Sequence, residues 1–174
     1  LATGQLGAEA SRAVKPRPVA QRALSALTWC IKGSSSGFEL DHLNVFFESN
    51  YPSEFNTIFK DRGVPEKPTV YLCAQDRGPN GSLNGSERLL MLVNAPADGD
   101  RQTWSEDDVM RTRDNALAVL ARCGLNLSFK DNDCVSTTPT DWHGRFPGSG
   151  GSLYGGASHG IWSSFRRPGA RSKL

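Results

Sequence analysis

Two apolar runs separated by a polar stretch constrain the fold of this chain more than any other feature. The runs extend over residues 69–74 and 88–94, and the stretch between them contains glycine, proline and asparagine. Apolar runs of this length between turn-forming residues are typical of β-strands. The second run is nearly all apolar, which indicates a strand buried on both faces of its sheet. We predict an antiparallel pair of adjacent strands joined by a long loop.

The clearest helix is predicted over residues 106–123. Ser105 and Asp108 have the spacing of a capping box, acids fill the first turn, and Gly124 follows the last turn. The apolar residues of this segment form one stripe at helical spacing: Val109, Ala116, Leu117 and Leu120. Because a stripe of this kind is buried in globular proteins, we predict that the helix lies across the sheet.

Other segments predict shorter strands. Aromatic and β-branched residues between clusters of glycine and serine favour extended structure. The expected strands cover residues 25–32 and 38–47, joined by a turn at 33–37, and a short strand is expected at 125–130.

Two further helices are predicted from their ends. Over residues 51–62, Asn50 can cap the helix, Pro52 suits its first turn, and Gly63 can end it. A second helix is expected to start at Thr138, which Pro139 follows directly.

These elements predict an α/β chain of α+β character, with a mixed or antiparallel sheet packed by helices. Three regions are expected. Residues 1–24 form a connecting segment, because Pro16 and Pro18 prevent a continuous helix. Residues 25–138 form the sheet-and-helix domain, and residues 139–174 form a glycine-rich segment that leaves it.

Composition argues against several classes of function. The 20 Lys and Arg nearly balance the 18 Asp and Glu, so we expect no binding to nucleic acid. The longest apolar run, residues 89–93, is far shorter than the roughly 18 residues of a membrane-spanning helix. Four single cysteines and three scattered histidines predict neither a disulfide framework nor a metal site.

The glycine-rich run over residues 148–156 does not match a dinucleotide-binding fingerprint. That fingerprint requires a glycine turn between a strand and a helix, with an acid on the following strand. No valine-rich strand precedes this run. We interpret it either as a segment whose backbone approaches a planar or elongated partner closely, or as a flexible surface loop.

The end of the chain resembles a known family. Residues 150–155 read Gly-Gly-Ser-Leu-Tyr-Gly, and residues 164–168 read Ser-Phe-Arg-Arg-Pro. Both resemble the downstream end of the bacterial carotenoid desaturases of the phytoene desaturase type, most closely the hydroxycarotenoid desaturase (methoxyneurosporene dehydrogenase) branch. Further blocks follow the family's order at 25–29, 42–47, 51–59, 68–77 and 87–96. Residues 41–44 read Asp-His-Leu-Asn, where the family would have His-His-Asn.

The resemblance implies the substrate-side part of a two-domain, FAD-dependent oxidoreductase. FAD would be bound mainly by parts absent from this chain, and residues 139–174 would return toward the FAD domain. The whole enzyme would desaturate an acyclic hydroxy- or methoxy-carotenoid on the cytoplasmic side, in peripheral contact with the inner membrane. The resemblance assigns no catalytic or cofactor-binding residue here, and the chain alone is expected to be inactive.

Three aromatic residues flank the glycine run, and the resemblance implies that they line an apolar tunnel for a polyene: Tyr154, Trp162 and Phe165. Ordinary core packing is the alternative for each. Two alternatives also remain for function: a related flavoprotein, such as an isomerase or an amine oxidase relative, or an apolar-ligand binding domain without catalysis.

Overall fold

The computed structural model describes residues 7, 18–48, 50–77 and 85–154. Five strands in these ranges form one sheet: β1 (Ser25–Ser36), β2 (Leu43–Phe46), β3 (Val70–Ala74), β4 (Glu87–Ala95) and β5 (Asn126–Thr137). The helices are α1 (Tyr51–Asn56), α2 (Glu106–Arg122) and α3 (Pro139–Arg145). The strand order is β2-β3-β4-β1-β5, and all four pairings are antiparallel. This architecture confirms the α/β class and selects the antiparallel alternative.

The predicted pair of strands forms the centre of the sheet. β3 and β4 are adjacent and antiparallel, with Leu72 opposite Met91. On its other side β4 pairs with β1, which places Trp29 opposite the same Met91. All three side chains are fully buried. The expectation that β4 is buried on both faces is wrong for one of them: Leu89 and Val93 are buried like Met91, whereas Leu90 and Leu92 on the other face are only half-buried.

Helix α2 packs on the sheet as the sequence predicts. The Ser105 hydroxyl accepts from the Asp108 N–H at 3.1 Å, and the Asp108 carboxylate accepts from the Ser105 N–H, which completes the capping box. Ala116 and Leu120 are fully buried among the side chains of the sheet, and Val109 and Leu117 are partly buried against them. The buried stripe also includes Val119, which the predicted stripe lacks.

The predicted turn over residues 33–37 is wrong in its position. β1 continues through Gly33 to Ser36, and the pairing between β1 and β5 shifts register between Ile31 and Gly33. A side chain at Gly33 would collide with the backbone of Ser128. Glycine at this position therefore permits close approach of two strands, as glycine within a strand often does.

The neighbouring strands also differ from the prediction. β2 begins only at Leu43 and pairs with β3 instead of β1. β5 extends to Thr137, well beyond the short strand expected at 125–130. Its second half starts with the polar residues 131–133, which are exposed. These residues lie where the pairing of β5 with β1 is interrupted, between Phe129 opposite Gly33 and Cys134 opposite Ile31, so their polar side chains stay in water at the sheet edge.

A helix is present at the predicted position, residues 51–62, but the residues that begin and end it differ from the prediction. α1 continues as a π-helical turn over Thr57–Asp61, and the Asn50 side chain makes no capping hydrogen bond. The chain leaves the turn at Arg62, whose φ of 58° is left-handed, and not at Gly63. The Arg62 guanidinium forms an ion pair with Asp98, which holds this conformation in place.

The chain then leaves the sheet through α3. The Thr138 hydroxyl and the Asp141 carboxylate form a second capping box, which confirms the predicted helix start. No helix in the described ranges is long and apolar enough to cross a membrane. The expected region boundaries, after residues 24 and 138, stay predictions.

Candidate apolar binding surface

The two faces of the sheet are covered differently. One face carries Leu27, Trp29 and Ile31 of β1 and is buried beneath α2. On the other face, pairing aligns side chains from all five strands into two rows that cross the sheet. The first row is Leu43, Cys73, Leu90, Cys30 and Val135. The second row is Val45, Tyr71, Leu92, Thr28 and Thr137.

We call these ten side chains the open face, because three of the four side chains at its margins are exposed to solvent, whereas Thr137 and the neighbouring Thr28 are buried. Leu43 is 54% exposed, Val45 41% and Val135 64%, whereas Leu90 and Leu92 at the centre are half-buried. Five strands spaced at roughly 4.8 Å give the surface a width of about 19 Å. None of the ten side chains carries a carboxylate, an amine or a guanidinium. The open face is therefore a broad, uncharged surface of mainly apolar character.

Charged and polar groups border the open face at both ends of the strands. At one end, Arg88 of β4 forms an exposed ion pair with Asp76. At the other end, the Asn94 side chain donates to Glu54 Oε1 at 3.1 Å, and Glu54 Oε2 accepts from the Thr69 N–H at 3.0 Å. Glu54 is buried and ties α1 to the sheet. The apolar region lies between these two polar borders.

Helix α3 also packs against the end of the sheet where Asn94 lies. The Trp142 indole N–H donates to the carbonyl of Ala26 at 3.2 Å, which fixes α3 against the start of β1. The Arg145 guanidinium lies 5.2 Å from the centre of the Trp142 ring, a cation–π arrangement. These contacts place the chain after residue 145 beside this end of the sheet.

The glycine run that follows α3 is packed against the chain itself. The Gly150 N–H donates to His143 Nδ1 at 3.2 Å, and the Gly150 carbonyl accepts from the Gly99 N–H at 2.9 Å. A side chain at Gly150 would overlap the Arg22 guanidinium, and one at Gly151 would overlap the Pro139 carbonyl. Of the two sequence interpretations, close approach is therefore right for these two glycines, but the partner is the protein's own backbone and Arg22.

These contacts also test whether the run fits a flavin. A pyrophosphate is held by free backbone N–H groups at the start of a helix. Here the Gly150 N–H is directed at His143, the Gly151 N–H donates to the Ser149 hydroxyl at 3.0 Å, and the described chain continues to residue 154 without a helix. The described glycines therefore do not fit a dinucleotide phosphate site.

An ion pair fixes the loop after β4, against which this glycine turn packs. Arg22 donates to both carboxylate oxygens of Asp100, at 2.6 and 2.7 Å, and to the Ala97 carbonyl at 2.9 Å. The hydrogen bond from Arg22 holds the pKa of Asp100 below its usual range and raises the pKa of Arg22. Arg22 thus holds the loop after β4 against the segment that precedes β1.

Of the three aromatic residues predicted to line a polyene tunnel, the structure describes only Tyr154. Tyr154 is 63% exposed, and the preceding residue, Leu153, donates its N–H to the Leu24 carbonyl at 3.0 Å. Trp162 and Phe165 lie outside the described residues. The open face was not predicted from the sequence, although the alternation of side chains along each strand shows which residues share it. In the described ranges no group of three or more His, Cys, Asp or Glu side chains forms a metal-binding cluster.

Comparison with known proteins identifies the relationship. The chain is 44% identical over its full length to a hydroxyneurosporene desaturase from Rubrivivax gelatinosus, and the match covers 33% of that protein. A hydroxyneurosporene desaturase from Rhodobacter capsulatus is 39% identical, again over the whole chain and over 34% of the relative. The chain matches the carotenoid desaturase family along its whole length. This confirms the resemblance, including its hydroxycarotenoid branch.

A more distant relative agrees. A 1-hydroxycarotenoid 3,4-desaturase from Flavobacterium is 33% identical over 84% of the chain, which covers 30% of that protein. No family model matches the sequence. The chain spans about a third of the length of these carotenoid desaturases.

Proposed function

We propose that this chain is the substrate-side part of an FAD-dependent carotenoid desaturase, which introduces a double bond into an acyclic hydroxy- or methoxy-carotenoid. The observation that carries the proposal is the open face, an uncharged surface on a sequence similar throughout to hydroxyneurosporene desaturases. A carotenoid chain has no charge for a protein to bind. It is held by shape and dispersion over a long apolar surface.

The open face is suited to that task. Leu90, Leu92 and Tyr71 present a half-buried centre, and the exposed margins at Val45 and Val135 extend it across the sheet. Covering this surface with a polyene removes apolar area from water, which is favourable at roughly 25 cal/mol per Å². In the whole protein the remaining two thirds would complete the binding site around the substrate.

FAD, in this proposal, is held by residues outside the described part of the chain, and it supplies the hydride acceptor when bound. The described glycine turn has no free N–H pair directed at such a cofactor. The contribution of this chain is to bind and orient the polyene and to exclude water from it.

The location follows from the substrate. Long carotenoids partition into lipid, so the whole enzyme is proposed to work on the cytoplasmic side in peripheral contact with the inner membrane. Sedimentation with carotenoid-containing vesicles tests this point. Recovery of the complete protein only in the supernatant, at both low and high salt, would contradict it.

The decisive experiment measures carotenoid desaturation by the complete protein and its variants. Val45→Lys and Val135→Lys place an amine on the exposed margins of the open face, where folding tolerates it. We expect each to lower conversion of a hydroxycarotenoid by about tenfold or more, because an amine in contact with a polyene loses its hydration without a partner. Met110→Lys, at an exposed position on α2, is the matched control and should retain wild-type conversion.

The outcomes separate the alternatives. Wild-type conversion by both lysine variants would contradict the use of the open face. Conversion of another class of lipid, with none of carotenoids, would favour a related flavoprotein such as an isomerase or an amine oxidase relative. Tight carotenoid binding by the flavin-loaded protein without turnover would favour the binding domain without catalysis.

A further inference from the structure

A thiol and an imidazole meet at the edge of the open face. Cys73 Sγ lies 3.8 Å from His42 Nε2, within hydrogen-bonding distance for sulfur. Cys73 is half-buried on β3, and His42, immediately before β2, is exposed. The two residues are 31 positions apart in sequence and meet because β2 pairs with β3.

Backbone contacts determine which nitrogen of His42 faces the thiol as an acceptor. His42 Nδ1 lies 3.1 Å from the Ala74 carbonyl and 3.0 Å from the Arg77 carbonyl. A carbonyl oxygen only accepts, so Nδ1 carries the proton in this arrangement. In the neutral ring Nε2 then presents its lone pair, and that lone pair is directed at the thiol of Cys73.

The turn that supplies these carbonyls is itself fixed. The Arg77 N–H donates to the Ala74 carbonyl at 3.1 Å and closes the turn at the end of β3. The Arg77 side chain donates to Glu87 at 2.9 Å, to the Ser35 hydroxyl at 2.8 Å and to the Leu40 carbonyl at 3.3 Å. His42 is therefore oriented by a third group, which is the arrangement that activates a nucleophile beside a base.

We propose that Cys73 and His42 form a nucleophilic thiol site that reacts covalently with apolar conjugated carbonyl compounds. His42 Nε2 accepts the thiol proton, and the sulfur attacks the β-carbon of the electrophile. A carbon–sulfur bond forms while the carbon–carbon π bond breaks, and the electron pair moves to the enolate. The α-carbon then takes the proton back from His42. The net change is addition of S–H across the double bond, so no oxidant or reductant is needed.

The surroundings of the thiol select an apolar reagent. Cys73 is directly opposite Leu43 on one side and Leu90 on the other. An electrophile with an apolar body can cover both leucines while its reactive carbon meets the sulfur. This inference stands apart from the proposed desaturase activity, since it requires only the described side chains.

The other three cysteines provide internal references. Cys30 and Cys123 are exposed, so a reagent that selects by access alone reacts with them first. Cys134 is half-buried, and burial raises the pKa of its thiol, which lowers the fraction of reactive thiolate. Preferential reaction at Cys73 would therefore report the imidazole and not exposure.

The test treats the complete protein with limiting N-ethylmaleimide at neutral pH and follows each cysteine-containing peptide by mass spectrometry. We expect Cys73 to be modified about tenfold faster than Cys123. His42→Gln should lower the Cys73 rate about tenfold and leave the Cys123 rate unchanged, with an unchanged thermal unfolding midpoint as the folding control. Glu87→Gln, which loosens the Arg77 turn, should give an intermediate Cys73 rate.

Two results would overturn the proposal. One is a wild-type Cys73 rate equal to or below that of Cys123, a comparison that needs no variant. The other is an unchanged Cys73 rate in a folded His42→Gln protein. Iodoacetamide serves as a polar reference reagent, and a preference for it at Cys73 over N-ethylmaleimide, relative to Cys123, would overturn the apolar selectivity.

Discussion

Arg77 and Glu87 form an ion pair that joins the two ends of the loop between β3 and β4. Arg77 Nε donates to Glu87 Oε2 at 2.9 Å, and the Glu87 side chain is only 3% exposed. The hydrogen bond from Arg77 holds the pKa of Glu87 below its usual range, against the opposing effect of burial. The pair therefore fixes a sheet end and, through the Arg77 carbonyl, the orientation of His42.

The first prediction concerns acid stability. A carboxyl with a lowered folded pKa stabilises the fold above its unfolded value of about 4.3 and loses that contribution as pH falls through the folded pKa. Glu87→Gln removes this contribution. We expect the variant to be less stable than wild type at pH 7 by about 1 to 3 kcal/mol, and the gap to narrow below about pH 4. Urea unfolding at several pH values measures both effects.

A control separates this pair from surface charge in general. Asp114→Asn alters an exposed aspartate on α2 and should leave the unfolding free energy at pH 7 near the wild-type value. A wild-type stability for Glu87→Gln at pH 7 would contradict the role given to the pair.

The second prediction concerns the contact between the loop after β4 and α3. A side chain at Gly99 would overlap the carbonyl of Pro139. Gly99→Ala should therefore destabilise the protein by about 1 to 3 kcal/mol, because backbone would have to move. Gly144→Ala is the matched control, since a methyl group there meets open space within α3. It should leave stability unchanged or raise it by up to about 1 kcal/mol, as measured by chemical unfolding. Equal effects of the two substitutions would show that the close approach at Gly99 is not essential.

The third prediction concerns the capping box of α2. Ser105→Ala removes the hydroxyl that accepts from the Asp108 N–H, and should cost about 1 kcal/mol of unfolding free energy. Ser86→Ala, at an exposed position before β4, should have no measurable effect. Chemical unfolding of the two variants side by side provides the comparison, and a wild-type value for Ser105→Ala would argue that α2 is held by packing alone.

The fourth prediction is that the chain alone binds no FAD. The N–H groups of Gly150 and Gly151 already donate within the protein, so neither is directed at a pyrophosphate. After incubation with excess FAD and desalting, the isolated chain should show no flavin absorbance. A stoichiometric yellow complex would contradict this result and relocate the flavin site to this chain.

Local signals in the sequence were enough for several elements. α2 carries its own capping box and apolar stripe, and α3 starts at a second capping box. The apolar runs that became β3 and β4 lie between polar segments, so their pairing followed from chain proximity. In each case the interactions that form the element lie within it or in the next element of the chain.

Other features depended on contacts between residues far apart in sequence. Gly33 reads as a turn residue, yet it lies inside β1 because Ser128 approaches it from β5. The polar residues at the start of the second half of β5 indicate a loop, but they lie at a register shift inside a strand that pairs with β1 on both sides of them. At Gly33 and in the paired parts of β5, backbone pairing across the sheet outweighs the local propensity of the residues.

The family, the antiparallel strand pair and the main helix could be predicted from the sequence, because the residues that specify each of them lie close together along the chain. The strand order depended on contacts between distant residues. That order aligned the ten side chains of the open face and brought Cys73 to His42. The physical reason is that periodicity states which residues of one strand share a face, whereas the neighbour of that strand is set by burial and backbone pairing across the whole sheet.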